Sequence, residues 1–179
     1  IYNATYIGSG ADAQLTSNDL ALKIRDNAGG KYYNSIFAEF SGAGVSIEDL
    51  AESGVDSRQR AEEGELDLAT NIWYNFGDVA DVGDDAYANV FLSDQAWVAE
   101  LFADKNYIDV DPQLQGISRE ADGGLNPLPA PSGPAFTNDR TPLPSGDDFY
   151  EPADYIGAFG DANWLAGWTA LDEAGYIGN

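Results

Sequence analysis

The 179-residue chain has no cysteine, no methionine and no histidine. Those absences exclude disulfides, thiolate chemistry, imidazole metal ligands and any Ser-His-Asp triad, so catalysis would have to rest on carboxylates, tyrosine, lysine or arginine. A chain without oxidisable sulfur suits life outside the cell. Basic residues are scarce: 8 Lys and Arg stand against 31 Asp and Glu, a formal charge of −23. Such a charge repels nucleic acid and anionic membrane surfaces, so neither is expected as a partner. Salt screens self-repulsion beyond about 10 Å at 0.1 M, and a marine or halophilic bacterial source is the expectation. No apolar run approaches the roughly 20 residues that span a bilayer, so membrane insertion is not expected. Ile1 opens inside what reads as a strand, without a signal peptide, which points to a processed chain or a fragment.

What is present is a set of short β-rich runs between Gly, Asn and Asp turns: Asn3 to Gly8, Leu20 to Asp26, Lys31 to Phe40, Gly44 to Asp49 and Glu65 to Phe76. Two internal matches organise them. Leu22-Lys23-Ile24-Arg25-Asp26 aligns with Val45-Ser46-Ile47-Glu48-Asp49, and Ile36-Phe37-Ala38-Glu39-Phe40 aligns with Ile72-Trp73-Tyr74-Asn75-Phe76. Self-similarity of this kind marks stacked repeats, and the polar loop 50–64 accounts for the longer spacing of the second match. Alternation along a strand sets Ile36, Ala38 and Phe40 over Ile72, Tyr74 and Phe76 on an inward face, with Asn34 over Thr70 in a polar ladder. Phe37 and Trp73 then point outward, to be covered by Trp164 and Trp168 or by a ligand.

A helix is expected over 93–104, capped by Ser93, with Trp97, Val98, Leu101 and Phe102 as its apolar stripe. Tyr107 to Pro112 reads as one more strand, and five prolines between Pro127 and Pro142 enforce irregular backbone after it. The tail adds a short strand, Tyr155 to Phe159, and a helix from Asn163 to about Glu173. The expected division is 1–115 for stacked coils and 116–179 for a Pro- and Gly-rich tail with a closing helix packed on them.

Asn34-Ser35-Ile36-Phe37 and Asn71-Ile72-Trp73 share an Asn before an apolar strand. Together with Asp111-Pro112-Gln113-Leu114, Gly124-Leu125-Asn126-Pro127 and Pro131-Ser132-Gly133-Pro134-Ala135, they resemble right-handed parallel β-helix, pectate-lyase-like secreted bacterial proteins, C-terminal portion. Asp147-Asp148-Phe149-Tyr150, Tyr155-Ile156-Gly157-Ala158-Phe159 and Trp164-Leu165-Ala166-Gly167-Trp168 are similar to the C-termini of uncharacterised secreted proteins of marine bacteria. The resemblance implies an all-β right-handed parallel β-helix, a solenoid with two short helices and a loop-rich tail. It implies no catalytic set, because that fold hosts lyases, hydrolases, adhesins and structural proteins alike.

Candidate site residues follow from the repeats. The first offset stacks Asp26 beside Asp49, two carboxylates that repel unless a proton or a cation lies between them; hard oxygen ligands suit Ca2+. Arg25 falls beside Glu48, and these four would be the set to test in a carbohydrate-active enzyme. Outward Phe37 and Trp73 would stack on sugar rings. The run Asp78, Asp81, Asp84, Asp85 lacks calcium-loop spacing and reads as a hydrated loop. Gly8-Ser9-Gly10-Ala11-Asp12-Ala13 satisfies a dinucleotide fingerprint, but no helical stripe or further βαβ unit follows, so a glycine turn is the better reading. Asn3-Ala4-Thr5 matches a glycosylation acceptor, a pattern of low specificity.

The expected function is a non-enzymatic extracellular or cell-surface module, or alternatively a periplasmic one. It would self-assemble or join other protein subunits through the first coil. The alternatives are a polysaccharide lyase, hydrolase or carbohydrate-binding fragment, and a calcium-dependent adhesion module.

Overall fold

A computed structural model describes residues 1–13, 19–50, 56–77, 90–146 and 149–178. Strands β1 (Thr5–Ile7), β2 (Leu22–Ile24), β3 (Gly30–Tyr33), β4 (Ile36–Ala38), β5 (Val45–Ile47), β6 (Leu66–Ala69), β7 (Ile72–Tyr74) and β8 (Tyr107–Ile108) are followed by β9 (Leu114–Ile117) and β10 (Leu125–Pro129). Helices α1 (Ser57–Glu62), α2 (Ala96–Phe102), α3 (Pro134–Thr137) and α4 (Ala170–Glu173) complete the described elements. The four-stranded sheet runs β1-β4-β7-β8, and three two-stranded sheets pair β2 with β5, β3 with β6 and β9 with β10.

The expected β-helix is overturned. Strands of two to five residues form small separate sheets, one of them antiparallel, beside four α-helices among the described residues. The runs that read as long strands are broken by residues in the left-handed region. Asn34 (φ 53°) separates β3 from β4, Thr70 (φ 55°) separates β6 from β7, and Asp109 (φ 56°) ends β8. Asn and Asp tolerate that conformation because their short polar side chains bond locally. The pairings read from the repeats are nonetheless those observed: Ile24 lies parallel beside Ile47, and Ile36 beside Ile72.

The assignment of faces is inverted. Phe37 and Trp73 have no exposed surface and lie in the larger core with Ile24, Ile47, Leu66 and Leu68, closed by Val98 and Phe102 of α2. Ile36, Ala38 and Ile72 are buried on the opposite face against Ala135 and Ile156 of the C-terminal segment. The β1-β4-β7-β8 sheet is thus covered on both sides, as parallel strands usually are. With both faces apolar, alternation alone cannot say which is inner. Positive φ at Glu39 and Asn75 then shifts the phase, so that Phe40 and Phe76 join the side of Phe37 and Trp73.

Side chains fasten the corners. Thr70 Oγ1 donates to Asn34 Oδ1 at 2.8 Å, and Asn34 exchanges two bonds with the Thr141 backbone, tying the tail to the sheet. Within the core Asn106 Oδ1 accepts from Asn71 Nδ2 (3.0 Å) and from the Trp73 indole (3.3 Å). Gly157 (φ 94°) lets the tail lie directly on the sheet, since a Cβ there would come within 2.7 Å of Ile36 Cδ1.

Several local expectations change with the fold. Within the polar loop 50–64, Asp56 accepts the Gln59 N–H at 2.9 Å and caps α1, while 51–55 lie outside the described residues. The helix over 93–104 is α2 flanked by two short 3-10 turns, with Leu92 and not Ser93 in the first cap position. No strand forms over 155–159, and the C-terminal helix shrinks to α4, capped by Thr169. Strand β9 runs through the expected boundary at 115/116 to pair with β10.

Candidate functional site

Strand β1 places Thr5 and Ile7 on the floor of a cleft of about 700 Å³. One wall is the β9–β10 hairpin, through Ile117, Leu125 and Pro127; the other is the tail, through Phe159, Trp164 and Leu171. Alternation in β1 turns Tyr6 to the core and its two neighbours to the cleft. Phe159 is buried and stacks on Trp164 at 5.1 Å, and Trp164 stacks on Trp168 at 6.1 Å. The Trp164 indole donates to the Ala158 carbonyl at 2.9 Å, fixing the ring at the edge of the cleft. Trp164 is 49% exposed and Trp168 71%, so these rings do not cover the core as expected.

Among the described residues Arg119 is the one cationic side chain that lines the cleft. Its Nε and Nη2 donate to the Gly8 carbonyl at 3.0 and 2.7 Å, and Nη2 stands 3.7 Å from Glu39 Oε2. That guanidinium therefore locks the hairpin to β1. Among the described residues no carboxylate lines the cleft. The chemistry on offer is apolar burial with a few hydrogen-bonding groups.

The residues singled out from sequence sit elsewhere. Asp26, with φ 58° after β2, pairs with its neighbour Arg25 at 3.3 Å on an open surface. Asp49 pairs with Arg58 at 2.8 Å, and Arg58 reaches Glu62 as well. Glu62 and then Asp49 hold the Arg58 guanidinium above its ordinary range. Glu48 accepts the Asn27 N–H rather than meeting Arg25. Each of the two aspartates thus has an arginine of its own, and among the described residues no group of three acidic side chains is placed to hold a metal ion. Residues 78–85 lie outside the described residues. Phe37 and Trp73, with no exposed surface, cannot stack on a sugar. Gly8 and Gly10 donate their N–H groups to Ala38 and Glu39, as a turn between strands does. Asn3 is spent on the Tyr155 carbonyl at 2.5 Å.

Sequence reasoning missed the cleft because its walls come from segments far apart in the chain. The signal the sequence holds is the i, i+4 spacing of Trp164 and Trp168, which is equally that of a helix face. No protein-family model, curated protein or solved structure matches the chain.

Proposed function

We propose that this chain is a non-enzymatic, extracellular or cell-surface structural module that joins a larger complex by docking a polypeptide in the cleft beside β1. The observation that carries this is the cleft itself: an apolar trough of about 700 Å³, lined by no carboxylate among the described residues and edged by exposed Trp164 and Leu171, with Trp168 stacked on Trp164 beside it. Exposed apolar surface of this kind, edged by polar groups, marks an interaction site. Aromatic anchors are what protein interfaces enrich. The chain's formal charge of −23 favours a neutral or basic partner.

Tryptophan emission tests it. Titration with short apolar peptides bearing lysine at both ends should shift the emission to the blue and saturate, and Leu171→Asp should abolish the shift while the fold persists. A parent protein whose emission is indifferent to such peptides sinks the reading. The stacked, half-open Trp164–Trp168 pair favours a second reading, carbohydrate binding, in which neutral oligosaccharides and not peptides produce the saturable shift.

A further inference from the structure

Among the described residues strand β1 is an edge, and its backbone groups that face away from β4 can be named. Ala4 O accepts the Ile36 N–H at 2.8 Å and Gly8 N–H donates to Ala38 O at 2.9 Å. Positions 4, 6 and 8 therefore turn their backbone groups toward β4, and the alternation of a strand turns those of Thr5 and Ile7 the opposite way. On that side the sheet order shows no neighbour among the described residues. An edge strand with free N–H and C=O groups is a template for another strand.

The side chains on either side of that edge specify what fits. Toward the core, Tyr6 stacks on Phe37 (4.7 Å, planes 8° apart) and Phe37 on Trp73 (4.2 Å, 11°), so Tyr6 is the last ring of the column among the described residues. Toward the tail, the cleft begins at Thr5 and Ile7. Three of the sheet's four strands read Thr5-Tyr6-Ile7, Ile36-Phe37-Ala38 and Ile72-Trp73-Tyr74, in register, while in β8 Ile108 lies beside Trp73. In β1, β4 and β7 an aromatic residue sits between two that face the tail.

We infer that the docked segment binds as an added β-strand along Thr5–Ile7, setting an aromatic side chain on Tyr6 and apolar side chains on both sides of it into the cleft. The inference rests on the docking reading above and specifies its geometry. Main-chain bonds supply affinity in such strand addition, and alternate side chains supply selectivity. The strand comes from a different, non-acidic polypeptide: a second copy would bring a further −23 to the contact, whereas a basic or neutral strand is drawn to it.

The test uses the peptide Lys-Thr-Ile-Phe-Ile-Thr-Lys and a version N-methylated at the backbone positions that would face β1. The parent peptide should bind and slow amide exchange at Thr5 and Ile7, while Tyr6, already paired, stays unchanged. N-methylation should weaken binding by about tenfold or more, because each blocked group leaves a backbone partner unsatisfied. Equal binding of the two peptides, or unaltered exchange at Thr5 and Ile7 under saturating peptide, overturns strand addition but leaves docking intact. If no peptide binds, the docking reading itself fails. Protection of Thr5 and Ile7 that grows with protein concentration alone, with dimers in sedimentation, overturns the assignment to a different polypeptide.

Discussion

Asn71 accepts the backbone N–H of Ser35 on the neighbouring β4 turn at 2.9 Å, and its Nδ2 donates to the Tyr32 carbonyl at 2.9 Å. Asn71 and Ser35 are both fully buried. Replacing Asn71 by Leu strands two backbone groups away from water and should cost about 3 kcal/mol, read as a lower urea midpoint at unchanged slope. An unaltered midpoint would show that the corner finds other partners.

The two kinds of tryptophan should behave oppositely. Trp73 stacks on Phe37 at 4.2 Å with no exposed surface, so Trp73→Ala opens a cavity and should cost about 4 kcal/mol in equilibrium unfolding. Trp168, largely exposed, should cost under about 1 kcal/mol when changed to Ala.

Asp56 sets an acid limit on α1. Backbone N–H groups of Gln59 and Leu50 hold its carboxyl below the ordinary carboxylate value. Its contribution is present above the unfolded pKa of about 4 and is lost as pH falls through that value to the lowered folded one. Thermal melts from pH 6 down to about 3 should show the loss in the parent, and Asp56→Asn should remove that part of the slope. A slope identical in Asp56→Asn would refute the assignment.

Tyr33 sets a limit at the alkaline end. Burial, and then the hydrogen bond to Asp67 at 2.8 Å, push its phenol well above its ordinary value. The folded protein therefore keeps this proton where an unfolded phenol releases it, and stability should decline above pH about 10. Tyr33→Phe should remove its part of that decline and, by losing a bond to a charged acceptor, cost about 1.5 kcal/mol at neutral pH. Ultraviolet difference titration in the native range should show Tyr33 ionising after the exposed tyrosines, together with Tyr2, Tyr6 and Tyr107, whose phenols burial also raises.

Gly157→Ala should be a damaging change, because Gly157 is buried against the sheet. It forces a side chain into φ 94° and sets a Cβ 2.7 Å from Ile36 Cδ1 and 2.8 Å from Thr5 Oγ1. Strain and overpacking together should cost about 3 kcal/mol, read by denaturant unfolding. Because Thr5 also floors the cleft, peptide affinity should fall with it.

Much of the pairing was legible in the sequence, because Ile24 with Ile47 and Ile36 with Ile72 sit in repeated local patterns. The orientation of those strands was not, since Ile36-Phe37-Ala38 is apolar at every position and either face could be inner. The breaks were hidden for a related reason: Thr70 and Glu39 adopt left-handed backbone that nothing in their side chains announces, unlike Asn34. Helix α1 was legible only in part. Asp56 three residues before Gln59 is a capping spacing, but the polar composition around it reads equally as loop. The cleft depends on a tail that folds back over more than a hundred residues, as in the Asn3–Tyr155 and Thr5–Ala158 bonds, and no local periodicity encodes that return.

The column of Tyr6, Phe37 and Trp73 has a spectroscopic consequence. An indole sealed against parallel rings emits at short wavelength, whereas the open indoles of Trp164 and Trp168 emit at long wavelength, so the interior and the C-terminal rim report in different parts of one emission band. During unfolding the short-wavelength component should vanish with the sheet, and quenching by iodide should reach the rim long before it reaches the column.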